Sequence, residues 1–500
     1  MEWKKLQNGS DIRGVAMEGV ENEPVNLTSD VVKCLGQAFA IWLKNHNPTK
    51  KQLQISVGMD PRLSGPEMER YFTSGVLTQG IDVYDFGIAS TPAIFMSTKI
   101  GSIRMDGGVM ITASHLPFNR NGLKFFTEES GLDKKDITEI LKIAEEANFP
   151  KCYPRGVYYK RDFMAEYSNY LVNLIRYRVD YTQNFDNPLE GIKIVVDAGN
   201  GSGGFFAENV LKVLGADVSD SQFLIPDGLF PNHPPNPEDD SAMVSIVTKV
   251  KESNADLGII FDTDVDRAGL VFNDGTPINR NTLIALISAI ILEENPKSTI
   301  VTDSITSNGL SHFINEHLKG KHHRFKRGYK NVINEAIRLN ETGENCCLAI
   351  ETSGHAAFKE NYFLDDGAYL VAKILIKMAQ LKHQGKTLTS LISELKSPVE
   401  SREIRITVNN PDFKQYGEII IADLAKFVEN QKDWEIVPDN HEGIRVNCNA
   451  HNQNGWFLLR LSLHDPVMPL NIESDVKGGV ENILNQLILF LRGYDELKIC

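Results

Sequence analysis

Three times along this chain a short apolar run breaks into a loop of small and polar residues. Gly108-Val109-Met110-Ile111 leads into Thr112-Ala113-Ser114-His115, Gly258-Ile259-Ile260-Phe261 into Asp262-Thr263-Asp264, and Cys347-Leu348-Ala349-Ile350 into Glu351-Thr352-Ser353-Gly354-His355. An uninterrupted apolar run of this length reads as a strand covered on both faces. Between these runs, residues 135–147, 205–214, 281–293 and 368–382 carry apolar residues at helical spacing. Strand and helix in alternation imply mixed α/β sheets, whose ligand sites lie at the carboxyl ends of strands, and all three polar loops fall at such ends.

After Ser397-Pro398 the pattern changes: residues 402–408, 443–448 and 456–461 read as strands, and 413–429 and 476–491 as helices. The turn-forming segments 183–188 and 293–297 read as linkers. The expected fold class is α/β: three similar mixed-sheet α/β domains followed by an α+β C-terminal domain around a central cleft. The expected divisions are 1–186, 187–296, 297–399 and 400–500. Five hundred residues suffice for several independent cores.

The charge balance excludes some function classes. Lys+Arg 52 against Asp+Glu 66 leaves −14, which opposes broad binding to nucleic acid or an anionic membrane. The longest apolar run, near residues 283–292, is roughly half of the ~20 residues that span a bilayer. Residues 1–6 lack the apolar stretch of a secretory signal, and the six cysteines show no CxxC or Cys/His ligand spacing. The expected setting is reducing and cytoplasmic, or the plastid stroma if a presequence has been removed, with no structural zinc.

Four loops carry chemistry. In Asp262-Thr263-Asp264-Val265-Asp266-Arg267, three carboxylates at alternate positions behind a buried strand would repel one another without a counter-ion, and can converge hard oxygens on Mg²⁺. An EF-hand would place Gly and Glu where Arg267 and Asn273 stand, so that reading fails. Ser114 beside His115, without GxSxG, is no hydrolase elbow. Alone it reads as a turn or helix cap; beside a cation it is suited to carrying a phosphoryl group. Glu351 and Ser353 can bond adjacent sugar hydroxyls, and His355 can exchange protons near neutral pH. Arg460-Leu461-Ser462-Leu463-His464-Asp465-Pro466 can hold a phosphate, or can be an ordinary turn closed by proline. A competing signal is Gly199-Asn200-Gly201-Ser202-Gly203-Gly204, which satisfies GxGxxG and supports an NAD-dependent enzyme as an alternative.

Taken together, the four loops resemble those of the α-D-phosphohexomutase superfamily, over about residues 10–469. Asp11-Ile12-Arg13-Gly14 is similar to the family's DIRG, and Gly58-Met59-Asp60-Pro61-Arg62 to its GxDxR. Thr112 to Pro117 resembles the phosphoserine loop TASHNP, with Asn121 to Lys124 as its NGxK continuation. Asp262 to Arg267 resembles the metal loop DGDGDR, Gly328-Tyr329-Lys330 a GxK element, and Glu351 to His355 the sugar loop ExSGH. The resemblance implies a mutase interconverting hexose 1-phosphate and 6-phosphate, glucose or mannose first, through phosphorylated Ser114 and a hexose 1,6-bisphosphate, with one Mg²⁺ held by Ser114, Asp262, Asp264 and Asp266. It implies that Glu351 and Ser353 grip the sugar, that Arg460, Ser462 and His464 hold the non-reacting phosphate, and that Arg267 and Lys330 help bind substrate. Arg13, Lys124, His115 and His355 become candidates for proton exchange or charge stabilisation. The expected partner is a phosphosugar, with no nucleic acid and no membrane, on a monomer or weak dimer.

The sequence also departs from the pattern. Leu116 stands where Asn is usual, Thr263 and Val265 replace glycines, Arg327 replaces Thr, and the phosphate loop RxSGTEP becomes Arg460 to Pro466 with Leu463 and His464 in its middle. That last change supports a second alternative, a family member that binds phosphosugar or regulates without turnover.

Overall fold

The computed structural model describes residues 2–180, 182–438, 440–462 and 465–498. The chain divides into two compact units, residues 1–279 with 353–388, and residues 280–352 with 389–500.

The first unit holds two mixed sheets. In the larger, strands Gln54–Met59, Asp82–Ile88, Gly107–Ile111 and Tyr158–Lys160 run parallel, while Arg120–Thr127 pairs antiparallel with Gly107–Ile111 and with Asp11–Val15. Helices Ser29–His46, Gly65–Thr78 and Lys134–Glu146 supply much of the apolar cluster around Phe39, Phe72 and Phe125. Each of these three side chains, removed from water, contributes roughly 1.5–3 kcal/mol, so these contacts fix where the strand ends point. In the smaller sheet Ile194–Asp197 runs parallel to Leu257–Phe261, which turns back antiparallel into Ala268–Phe272. Residues 262–267, between the last two strands, form the acidic loop.

In the second unit, strands Lys321–Arg324 and Cys346–Ile350 flank Thr299–Thr302 in parallel. The C-terminal region is a six-stranded antiparallel sheet, in the order Trp434–Ile436, Ile444–Cys448, Gly455–Leu459, Val467–Ser474, Glu400–Val408, Leu497–Lys498. Helices Phe413–Glu429 and Gly479–Leu491 lay Ile420, Leu424, Ile483 and Leu487 on it. The three α/β portions and the different α+β tail match the expected class.

Several elements differ from the periodicity reading. The segment 205–214 is helical but irregular, π-type over Phe206–Leu211 and 3-10 over Lys212–Leu214. The helix expected from residue 476 starts at Gly479, because Gly478 adopts φ 79°. Strand Arg120–Thr127 escapes a pattern search because its polar residues face inward: Asn121 is fully buried and Lys124 nearly so. Among the described residues no helix is long and apolar enough to cross a membrane.

Candidate active site

Ser114 sits just past the fully buried strand Gly107–Ile111, with φ 51°. A left-handed backbone costs a non-glycine residue roughly 1–2 kcal/mol, so something must hold it. Its own N–H donates to Thr112 Oγ1 at 2.8 Å, and Thr112 Oγ1 donates to Asp60 Oδ2 at 2.6 Å. Arg62, buried with Asp60, completes the clamp. Its Nε pairs with Asp60 Oδ2 at 3.1 Å, while Nη1 and Nη2 donate to the carbonyls of Pro117 (2.7 Å), Arg120 (3.1 Å), Leu116 (2.6 Å) and Ser114. One planar fork therefore sets the path of the loop. Ser114 Oγ donates to Asp262 Oδ2 at 3.2 Å, accepts from Arg267 Nη2 at 3.3 Å and lies 3.3 Å from His115 Nδ1.

Asp262, Asp264 and Asp266 are buried and each offers an oxygen within 4.8 Å of the others. Lys124 Nζ bridges Asp264, at 2.9 Å, and Asp266; Thr91 Oγ1 donates to Asp264 Oδ2 at 2.5 Å. Arg267 Nε reaches Asp262 Oδ2 at 3.1 Å. Burial and then Asp266 push the Asp262 carboxyl well up; Asp266 is held down because Lys124, His355 and Arg267 together outweigh its burial. Among the described residues, the buried oxygens Asp264 Oδ1 and Asp266 Oδ1 find no hydrogen-bond partner. Orphaned carboxylate oxygens at the centre of an all-oxygen acidic cluster fit a hard divalent cation such as Mg²⁺. Asp264→Asn should therefore weaken Mg²⁺ or Mn²⁺ binding by at least about tenfold, since a charged ligand becomes neutral. Calorimetric titration of the two proteins checks this, and equal affinities would remove Asp264 from the site.

The acidic loop is shaped from outside. Val265 takes φ 66°, an outlier for a β-branched residue. Its carbonyl accepts from Gly367 N at 3.1 Å, at the start of helix Gly367–His383, and a Cβ on Gly367 would stand 2.7 Å from the Arg267 carbonyl. Nearby, residues 267 and 355 form an antiparallel bridge, and a Cβ on Gly354 would meet the Ala268 carbonyl at 2.7 Å. His355 Nδ1 contacts Asp365 Oδ2 and lies 3.9 Å from Asp266 Oδ1. Burial works against its charged form, but Asp365 and Asp266 outweigh that and raise it to about 9. His115 is the opposite: burial, then Arg267 and Arg13, lower it to about 3. Arg13 itself pairs with Asp11 at 2.8 Å.

The remaining candidates lie in the second unit, apart from Ser353, which is buried in the first. Glu351 Oε1 accepts from Gly328 N at 2.6 Å, so the sugar-loop carboxylate is tied to the turn that precedes Lys330. Arg460 is buried, and its Nη1 lies 3.9 Å from Glu442 Oε1, whose other oxygen accepts from Arg327 N at 3.2 Å. Ser462 N donates to the Val467 carbonyl at 3.0 Å. Leu463 and His464, expected in the phosphate loop, lie outside the described residues. Sequence reading assigned no role to Asp60, Arg62, Thr91, Asp365 or Glu442. The first two stand in a quoted motif; Thr91 and Glu442 have no local signal at all.

The GxGxxG alternative fails on geometry. Asn200 N donates to the Phe223 carbonyl at 2.9 Å and Ser202 N to the Thr263 carbonyl at 2.8 Å. A Cβ on Gly204 would meet the Leu224 carbonyl at 2.2 Å. These amides and this glycine serve chain packing, where a dinucleotide would need them open.

Family models for phosphoglucomutase/phosphomannomutase α/β/α domains I, II and III match residues 4–151, 165–275 and 279–398. The chain belongs to the phosphoglucomutase/phosphomannomutase family. It is 31% identical to a phosphoglucomutase of Neisseria meningitidis over 95% of this chain and 94% of that one. It is 30% identical to a phosphoglucomutase/phosphomannomutase of Thermococcus kodakarensis over 94% of both. A crystal structure of a phosphoglucomutase/phosphomannomutase family protein from Burkholderia thailandensis superposes with TM-score 0.80, at 28% identity and 98% coverage of each chain. Membership accounts for the order of the loops along the chain.

Proposed function

We propose that the protein is a phosphohexomutase that moves a phosphoryl group between the C1 and C6 oxygens of a hexose monophosphate through phosphorylated Ser114. The observation that carries this reading is Ser114 Oγ held at once by Asp262 and Arg267, beside a carboxylate triad with orphaned oxygens. A hydroxyl with no other use is placed where a migrating phosphoryl group meets fixed positive charge. Mg²⁺, held by Ser114, Asp262, Asp264 and Asp266, would supply charge neutralisation at the transferring group.

In the forward half-reaction the Ser114 O–P bond breaks, a sugar O–P bond forms, and the sugar hydroxyl loses its proton. Arg267, 3.3 Å from Oγ, faces the oxygen on which charge develops. His115, lowered to about 3, resists protonation and stands as a neutral partner 2.8 Å from Arg267 Nη2; His355, raised to about 9, carries a proton to give or holds positive charge. The return half-reaction reverses these roles after the bisphosphate has presented its other end. Glu351 and Ser353 are assigned to sugar hydroxyls, and Arg460, Ser462 and Lys330 to the distal phosphate. Glucose and mannose phosphates are the leading substrates in this reading.

Intact-protein mass spectrometry tests the mechanism. A phosphorylated fraction that disappears on incubation with glucose 6-phosphate, mapped to Ser114, is the expected result. Coupled assays across glucose, mannose, glucosamine and N-acetylglucosamine phosphates then rank substrates, because one or two hydroxyl contacts decide among them. Turnover without any phosphoprotein at any stage would defeat the Ser114 pathway.

A further inference from the structure

In the second unit a cavity of about 140 Å³ is lined by Ser304, His323, Arg324, Asn440, His441 and Arg445. Two guanidiniums dominate it. Arg445, 3% exposed, donates from Nη1 to the Ser304 carbonyl at 2.8 Å and from Nη2 to the Thr306 carbonyl at 2.9 Å and Asn308 Oδ1 at 3.0 Å. Its guanidinium carbon lies 3.5 Å from the centroid of the Trp456 ring. Its Nε is buried and finds no partner among the described residues. Arg324 uses the same turn, donating to Thr306 Oγ1 at 3.1 Å, the Ser307 carbonyl at 2.8 Å and Asn308 Oδ1 at 3.4 Å.

Every one of those acceptors is a neutral oxygen. Among the described residues neither guanidinium forms an ion pair. The acids that act on them through space, Glu473 and Asp303, are themselves pushed toward their neutral forms by burial, Glu473 up to about 7. Burial and mutual repulsion work against two positive charges side by side, yet arginine stays protonated in proteins. An uncompensated pair of this kind is stable when an anion completes it.

We propose that this cavity binds a phosphate-type dianion, at a site separate from Arg460. Two fixed positive charges match a dianion. His322 is kept neutral by burial and its Nδ1 finds no partner among the described residues, so it offers a ring hydrogen bond and no further charge, while His323 Nε2 faces Glu335 Oε1 at 2.9 Å. A cation is disfavoured by the arginines, and among the described residues the two acidic or histidine clusters with ligand spacing both lie elsewhere. A cavity of about 140 Å³ is below the usual range for drug-sized ligands and suits a compact anion. Either inorganic phosphate or the phosphate of a small monoester presents the chemistry required.

Calorimetric titration of the full chain with inorganic phosphate, and separately with ribose 5-phosphate, tests the site. Arg324→Gln should weaken binding at least about tenfold, the scale of losing one hydrogen bond to a charged group. Asn440 is exposed at the cavity wall, so Asn440→Asp adds a repelling charge without disturbing the core and should weaken binding similarly. Arg460→Ala should retain this binding. Tighter binding of the ester identifies a phosphomonoester as the occupant, and tighter binding of inorganic phosphate identifies the free ion. Unchanged affinity in both Arg324→Gln and Asn440→Asp, or loss of the same binding in Arg460→Ala, overturns the proposal.

Discussion

Ser114→Ala is expected to lower kcat for glucose 1-phosphate by at least about a thousandfold, a barrier increase of ~4 kcal/mol. Alanine removes only Oγ, the atom placed between Asp262 Oδ2 and Arg267 Nη2. The neighbouring Thr112 hydroxyl cannot replace it, because it is committed to Asp60 and to Ser114 N. The backbone at φ 51° is about equally unfavourable for alanine and serine, so the thermal transition should move little. That separates lost chemistry from lost structure: a coupled assay reads the first and a melting curve the second. Interconversion by Ser114→Ala at the rate of the unchanged protein would end the phosphoserine mechanism.

The largest stability effect is expected at Arg62. Arg62→Ala leaves the Asp60 carboxylate fully buried without its ion pair, a loss of about 3–5 kcal/mol for such pairs. It also strips a donor from four loop carbonyls at once. The first melting transition should fall by on the order of ten degrees, and turnover should fall with it as the Ser114 loop loses its set path. Arg62→Lys keeps the charge but not the fork, so it should recover part of the melting temperature and little of the activity. Scanning calorimetry and kcat on the two variants check this; a transition within a degree or two of the unchanged protein in Arg62→Ala would show that the clamp carries no load.

Those two residues illustrate what could be read in advance. Ser114 and the three Asp were visible because small and acidic residues behind an apolar strand break a pattern. The family likeness rested on such breaks, and the three strands that carry them lie within a residue of where periodicity put them. Arg62 was visible only as a letter in a motif, since its task depends on carbonyls of residues 114–120 arriving beside it. Asp365 and Glu442 could not be found: their partners, His355 and Arg460, lie on other segments, and a lone acid has no periodicity. Lys124 was read as a candidate for proton exchange or charge stabilisation, and the structure makes it the bridge between Asp264 and Asp266.

The hydrogen bond from Gly367 to the Val265 carbonyl has a consequence for how the chain comes off the ribosome. The acidic loop ends at residue 267, but the stretch that presses it into shape, residues 353–388 of the same unit, is made some hundred residues later. At roughly 5–20 residues per second that is a wait on the order of ten seconds. During it the three carboxylates have their sheet but not the helix that holds Val265 in its left-handed turn. The reaction centre is thus finished late, after the strands that bear it have folded, and a nascent chain stopped at residue 279 would carry every acidic ligand without the geometry to use them.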